Sequence, residues 1–392
     1  MTTEQRRIDP ANPYDYYHDL QVNNPVFQIQ EGTWMITRYV DACQLLQDPR
    51  CVHWGQDLDH SSNMPDLERS IAATLFNLAP DHYAPYRKQI MHQLAAKSLS
   101  LDEEKMLQEA QLLVEKLKSK TELDFIEDFA HPFTFGIISR IIGIPENRRE
   151  SLSNLVSKMD GGYLACIDNK SGHLTADGNL FIHFLQDLIA LKKEQPGNDL
   201  CSALLSSSSD EKDQEVFLLS MLVLLLYAGH QNMMNFFGNA ILAMHAHMEA
   251  QNQFRESEKL LEKSIDEIIR YDSPLQYIIL IAKEDFYFGE HFIHKGNQLM
   301  IAVGAANRDA DAFDRPDQLM PGRQPKHLGF GIGAFRCIGA RLAQMEAFLG
   351  LNVWLQNTES YFPIQEQIKW RTNPYVQRGP SYLPMKVKWT GL

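Results

Sequence analysis

A single cysteine, Cys337, stands in the stretch His327–Arg341, HLGFGIGAFRCIGAR, with glycines on both sides of it. Gly329, Gly331, Gly333 and Gly339 free the backbone to turn tightly and to come close to a flat group. Beyond Gly339, the residues Leu342, Met345, Leu349 and Val353 recur at helical spacing, so the cysteine falls on a loop just ahead of a helix N-terminus. There the free amides and the helix dipole favour thiolate over thiol, the state in which sulfur binds a metal. Against this, a lone cysteine among apolar residues is more often a small buried hydrophobe. The loop is not a phosphate cradle, because it holds neither a complete GxGxxG nor a GK[ST] and no strand precedes it. A second candidate is the pair Glu267 and Arg270, three residues apart on one face of the amphipathic stretch Leu260–Arg270. As a bare exposed ion pair it would be worth roughly 0–1 kcal/mol.

Helices and strands must hold these residues. Val216–Tyr227 is the longest apolar run; interrupted by Ser220 and short of the ~20 residues that span a bilayer, it predicts a buried helix. Val40–Gln47 and Lys105–Lys118 read as helices, and Phe27–Ile36 reads as a hairpin about Gly32. Phe286–Val303 reads as strands about Gly289 and Lys295-Gly296, while Met385, Val387 and Trp389 alternate with lysines as a closing strand. Residues 51–75 are polar and lack a period, as a loop would be. No Pro/Ser/Gly-rich linker divides the 392 residues and 44% are apolar, enough for one large core, so 1–392 reads as a single domain. A net charge of −13 argues against nucleic acid or an anionic membrane as partner. The five cysteines, at 43, 51, 166, 201 and 337, are odd in number and scattered, which implies no disulfide framework and fits a reducing cytoplasm. The opening MTTEQRRIDPANPYDYYHDL has no apolar stretch of the signal or anchor kind.

Phe330, Gly331, Gly333, Cys337 and Gly339 together match the pattern FGxGxxxCxG. With that signature the chain resembles the cytochrome P-450 family, of the bacterial type that carries no N-terminal anchor. The likeness runs from about Asp9 to Trp389 and includes TWMITRYVDACQLLQDPR and AANRDADAFDRPDQLM. It implies a mainly α fold with small β-sheets, holding haem b (iron protoporphyrin IX) between a long central helix and the cysteine loop. Cys337 would be the axial iron ligand, whose thiolate pushes electron density toward dioxygen and favours O–O cleavage.

The resemblance assigns further residues and exposes departures. In APDHYAPYRKQIMHQL, Tyr83 falls where the family usually has histidine and Arg87 falls on its arginine, both suited to a haem propionate. Arginine is usual at the position of Leu280, and histidine or arginine at that of Phe335, so Tyr83, Arg87, His327 and Arg336 are expected to serve the propionates in their place. In AGHQNMMNFFGN, Ala228 and Gly229 would leave room for oxygen, but Gln231 and Asn232 stand where an acid and a threonine relay protons. Glutamine holds a water but supplies no acid, and asparagine donates hydrogen bonds without relaying easily. The replacement reads equally as drift tolerated through ordered waters or as adaptation to substrate-assisted, coupling or desaturating chemistry. Glu267 and Arg270 would form a buried pair bracing the loop, and the usual third arginine is Gln318. A neutral hydrogen bond, Arg315 or Arg323 would then complete the brace.

The implied function is oxidation of a small organic molecule, a secondary-metabolite intermediate, with dioxygen and electrons from a separate ferredoxin or flavodoxin system. The implied partners are that donor and a small-molecule substrate, the chain itself being a monomer. Lys88, Lys326, Arg336 and Arg341 form the expected donor docking patch. The alternatives are a peroxide-driven, isomerising or coupling haem-thiolate enzyme and a catalytically silent haem-binding recruitment protein.

Overall fold

The computed structural model describes residues 9–53, 90, 96–158, 174–206, 211–371 and 376–391. Helices dominate. They are α1 (Tyr14–Asn23), α2 (Tyr39–Leu45), α3 (Ala96–Leu117), α4 (His131–Ile142), α5 (Glu146–Lys158), α6 (Ala176–Glu194), α7 (Leu200–Leu205), α8 (Glu211–Leu226), α9 (Asn232–Ala246), α10 (Met248–Glu256), α11 (Glu258–Tyr271), α12 (Val303–Ala306) and α13 (Ala340–Asn357). Local chemistry sets several ends. Ser257 caps α11 by accepting from the Leu260 amide (3.3 Å), Thr175 caps α6 through the Gly178 amide (3.0 Å), and α4 stops where Gly143 turns left-handed at φ 93°.

Twelve strands, numbered in chain order, form small sheets among the described residues. In the largest, β1 (Val26–Gln30) and β2 (Thr33–Ile36) make the expected hairpin, and the order continues through β8 (Gln298–Ala302) and β5 (Tyr277–Ala282) to β3 (Cys51–His53). Only β2 and β8 run parallel there; the other neighbours are antiparallel. A three-stranded sheet joins β4 (Glu122–Asp124), β12 (Pro384–Trp389) and β9 (Thr358–Pro363), so the predicted closing strand is its centre. Two-stranded ribbons pair β6 (Phe286–Phe288) with β7 (His291–Ile293) and β10 (Lys369–Trp370) with β11 (Pro380–Tyr382).

The apolar interior has two main bodies. One gathers α3, α4, α9, α11 and α13 around Phe129, Phe133, Phe237, Ile268 and Trp354. The other holds Phe135, Leu185, Leu222 and Leu226 from α4, α6 and α8. Since α8 belongs to one body and α9 to the other, the helix that joins them crosses the molecule's middle, where burial of apolar side chains on both sides holds it. Among the described residues no helix is long and apolar enough to cross a membrane.

Candidate active site

The cysteine loop is shaped by its own backbone. The Cys337 amide donates to the Phe330 carbonyl (2.7 Å) and the Gly331 amide to Leu328 (2.8 Å), closing two turns between His327 and α13. Gly331 (φ 62°) and Gly333 (φ 60°) take left-handed conformations, and a Cβ on Gly331 would fall 2.4 Å from the Phe335 carbonyl oxygen. That close approach lets the loop fold flat beneath Cys337. The Cys337 side chain is exposed, whereas Cys51 and Cys201 are buried, with burial pushing each of those thiols up to about 12. Ile338, the next residue, joins the apolar body that also contains Leu224 and Tyr227 of the central helix.

Behind the loop lies a saturated polar brace. Glu267 and Arg270 are wholly inaccessible to solvent. Arg270 donates through Nε and Nη2 to the two Glu267 oxygens (2.7 and 3.0 Å), through Nη1 to the Asn307 and Pro316 carbonyls (2.8 Å each), and through Nη2 to the Gln318 carbonyl (3.1 Å). All five guanidinium N–H groups are thus occupied. Glu267 also accepts from the Met320 amide (3.0 Å) and faces Arg323 Nε at 3.5 Å. Arg323 therefore supplies the third member of the brace and its second cation, while Gln318 contributes its backbone and Arg315 turns outward to Asp314. Asn307 carries the brace onward, its Oδ1 accepting from the Leu328 amide (2.7 Å) at the root of the loop.

His327 braces the same joint. Its Nδ1 accepts from the Gly329 amide (3.0 Å) and its Nε2 lies 3.3 Å from Asp266, which also accepts from Gln344 of α13 (2.7 Å). Burial would raise the Asp266 carboxyl, but the hydrogen bonds from His327 and Gln344 hold it below the ordinary value.

On the far side, α8 and α9 are one helix with a π-turn, Tyr227–Gln231, in its middle. Such a turn widens the helix by one residue and re-aims the side chains after it. Gly229 permits the crossing with α4, since a Cβ there would come 2.6 Å from Ile138 Cδ1. In a helix otherwise sunk in the core, Leu224, Ala228 and Asn232, four residues apart, form an open stripe in which Ala228 is exposed and the other two are half-buried. Gln231 is buried and its Oε1 has no hydrogen-bond partner among the described residues. Asn232 donates to the Ala228 carbonyl (3.4 Å) and accepts from Gln377 (2.7 Å).

An open stripe at a π-turn, and an exposed cysteine on a braced glycine loop, are what a flat, sulfur-ligated group requires. The sequence profile of the Cytochrome P450 family matches residues 181–381, more than half of the chain and inclusive of both regions. The chain belongs to the cytochrome P450 family. It is 29% identical over 381 residues to the biotin biosynthesis cytochrome P450 of Bacillus subtilis, covering 93% of each chain. It is 26% identical over 377 residues to the polyketide biosynthesis cytochrome P450 PksS of the same organism, covering 90% of this chain and 89% of that one. The crystal structure of P450BioI with an acyl carrier protein ligated to hexadec-9Z-enoic acid superposes with a TM-score of 0.83 at 27% identity, over 97% of this chain and 98% of that one.

Members of this family are oxidoreductases that bind haem through a cysteine thiolate. The residues of this P450 fit such a group: the exposed sulfur, the flat glycine loop and the orphaned Gln231 oxygen beside the open helix face all leave it room and polar contact. The expected propionate donors divide. Tyr83 and Arg87 lie outside the described residues, as does Lys88. Arg336 is exposed beside Cys337. Both nitrogens of His327 face protein groups, Gly329 and Asp266, and so tie the loop to α11. Leu280 is fully buried in β5 opposite His53. Sequence reasoning missed Arg371 and Gln377, which reach the central helix from a segment 136 or more positions away.

Proposed function

We propose that this P450 oxidises a small organic molecule from biosynthetic metabolism, using dioxygen and electrons from a separate ferredoxin- or flavodoxin-type donor. The relatives named for biotin and polyketide biosynthesis support a biosynthetic substrate. The chain works as a single domain, a monomer in the cytoplasm, with Lys326, Arg336 and Arg341 exposed on the cysteine side to meet the donor. When bound, haem supplies the oxygen chemistry; everything else falls to the chain's own residues. Cys337 ligates from the braced loop, with Phe330, Gly331 and Gly339 shaping its seat. Tyr83, Arg87 and Arg336 hold the propionates. Ala228 would leave room for oxygen on the open face, with Gly229 letting the helix pack close to α4 there, and Gln231 and Asn232 would order water beside it.

The observation that carries this reading is the buried Gln231 amide with an unmet oxygen at the π-turn. An amide there accepts a hydrogen bond from a water and holds it in place, but it releases no proton at any working pH. Protons therefore arrive through ordered water or from the substrate. Asn232, held by Gln377, is fixed as a donor rather than free to rotate as a threonine hydroxyl would. The test compares coupling of oxygen consumption to product in the native protein and in Gln231→Glu with Asn232→Thr. Better coupling in the double variant supports the water-borne route, and no change in coupling or product rejects it. A second reading, turnover driven by peroxide, is favoured by the same absence of an acid. Steady product formation with hydrogen peroxide and none with dioxygen plus donors would select it.

A further inference from the structure

Arg371 is a largely enclosed cation that no carboxylate among the described residues answers. Its Nε donates to Asn235 Oδ1 (2.9 Å), its Nη2 lies 3.7 Å from Met234 Sδ, and its amide points to the Gly379 carbonyl (3.3 Å). Arg140, Arg270 and Arg378 face Glu109, Glu267 and Asp272; among the described residues no acid faces Arg371. Nη1 and the outer edge of Nη2 are committed to no oxygen among the described residues. The titratable neighbours are Tyr227, His131 and His230, and burial together with the Arg371 charge keeps both imidazoles neutral, His131 pushed down to about 4.

Its location gives that charge a use. Asn235 lies four residues beyond Gln231 on α9, and Gln377, from the same stretch of chain as Arg371, holds Asn232 on the open stripe. The guanidinium therefore stands against the very helix whose middle is uncovered, between Tyr227 at the start of the π-turn and Met234 after it. A desolvated cation is costly unless an anion pairs with it, and a guanidinium with two uncommitted N–H edges matches a carboxylate in both charge and shape. A purely bracing arginine would direct those edges to carbonyls, as Arg270 does.

We propose that Arg371 receives the carboxylate of the substrate, so that the molecules this enzyme oxidises are amphiphilic carboxylic acids whose apolar body lies along the Leu224–Ala228–Asn232 face. The inference rests on the P450 reading and narrows its substrate class. The test titrates the holoenzyme with decanoic and dodecanoic acids and with their methyl esters. Binding is followed by the low-spin to high-spin change of the haem spectrum and, independently, by calorimetry. The native protein is expected to bind each acid at least about tenfold more tightly than its ester, the scale of one charge-assisted pair. Arg371→Gln should bring that ratio close to one with ester affinity retained, and Arg371→Lys should keep most of it. A ratio near one in the native protein overturns the inference without any variant, as does a ratio that survives Arg371→Gln. Ester binding that tightens when sodium acetate is added would assign the charge to a free anion and overturn it too. Failure of the P450 reading shows separately, as loss of the thiolate signature in the reduced carbon monoxide spectrum.

Discussion

The brace behind the cysteine loop and the π-turn of the central helix are both polar and both enclosed, yet they treat their polar atoms in opposite ways. In the brace, each N–H of Arg270 meets an oxygen, Glu267 accepts from Arg270 and the Met320 amide with Arg323 close by, and Asn307 passes the network to Leu328. At the π-turn, Gln231 Oε1 has no partner, Ala228 is exposed in mid-helix, and Arg371 nearby lacks a counter-ion among the described residues. A buried network that is complete within the protein is rigid and specifies one conformation. One that is incomplete has its remaining partners among ligands and water. The comparison separates the part that holds the sulfur still from the part that meets what changes during turnover.

Breaking the first region at its tip gives the largest effect. Cys337→Ala should abolish the far-shifted Soret band of the reduced carbon monoxide complex and with it all oxidation, because no other sulfur lies on the loop. Retention of that band would remove the basis for the whole site. Next, Glu267→Gln leaves Arg270 charged and half-answered in a dry interior, and should cost about 3–5 kcal/mol in denaturant unfolding. A loss below about 1 kcal/mol would mean that the brace is no more than an exposed pair. At the π-turn, Gln231→Glu with Asn232→Thr should leave unfolding nearly unchanged and raise coupled turnover by about a hundredfold if proton delivery limits the native enzyme. A stability loss as large as that of Glu267→Gln would erase the contrast between the regions. Arg323→Gln, which removes the second and more distant cation of the brace, should cost roughly 1 kcal/mol.

The smallest effect concerns an exception inside the satisfied half. Glu346 of α13 is buried with Oε1 unpartnered, and burial, with Glu109 adding repulsion, raises its carboxyl well above the ordinary 4.5. A carboxyl raised in the fold binds its proton more tightly than in the unfolded chain. Stability is therefore full below pH 4.5 and declines as pH rises from there through the raised value. Glu346→Gln should remove that decline. Parallel pH profiles for the two proteins would show that Glu346 ionises without cost.

Much of this was legible in the residues. FGxGxxxCxG placed the sulfur on a loop before a helix, the ExxR spacing placed an acid and a base on one face, and the apolar run 216–227 marked the central helix. What stayed illegible was partner choice. His327 reads as a donor awaiting a propionate, yet Asp266 and Gly329 occupy it. Three ways to replace the missing third arginine were equally compatible with the chain, and the fold selected Arg323.

Local pattern by itself determined the elements and the chemical type of the site, because helix periodicity, glycine turns and a thiol's affinity for metal act over a few neighbouring residues. Only the tertiary structure decided which polar atoms are answered. Hydrogen bonds such as Arg371 to Asn235 and Gln377 to Asn232 join positions 136 and 145 apart in sequence, and burial sets their worth only once the helices have packed.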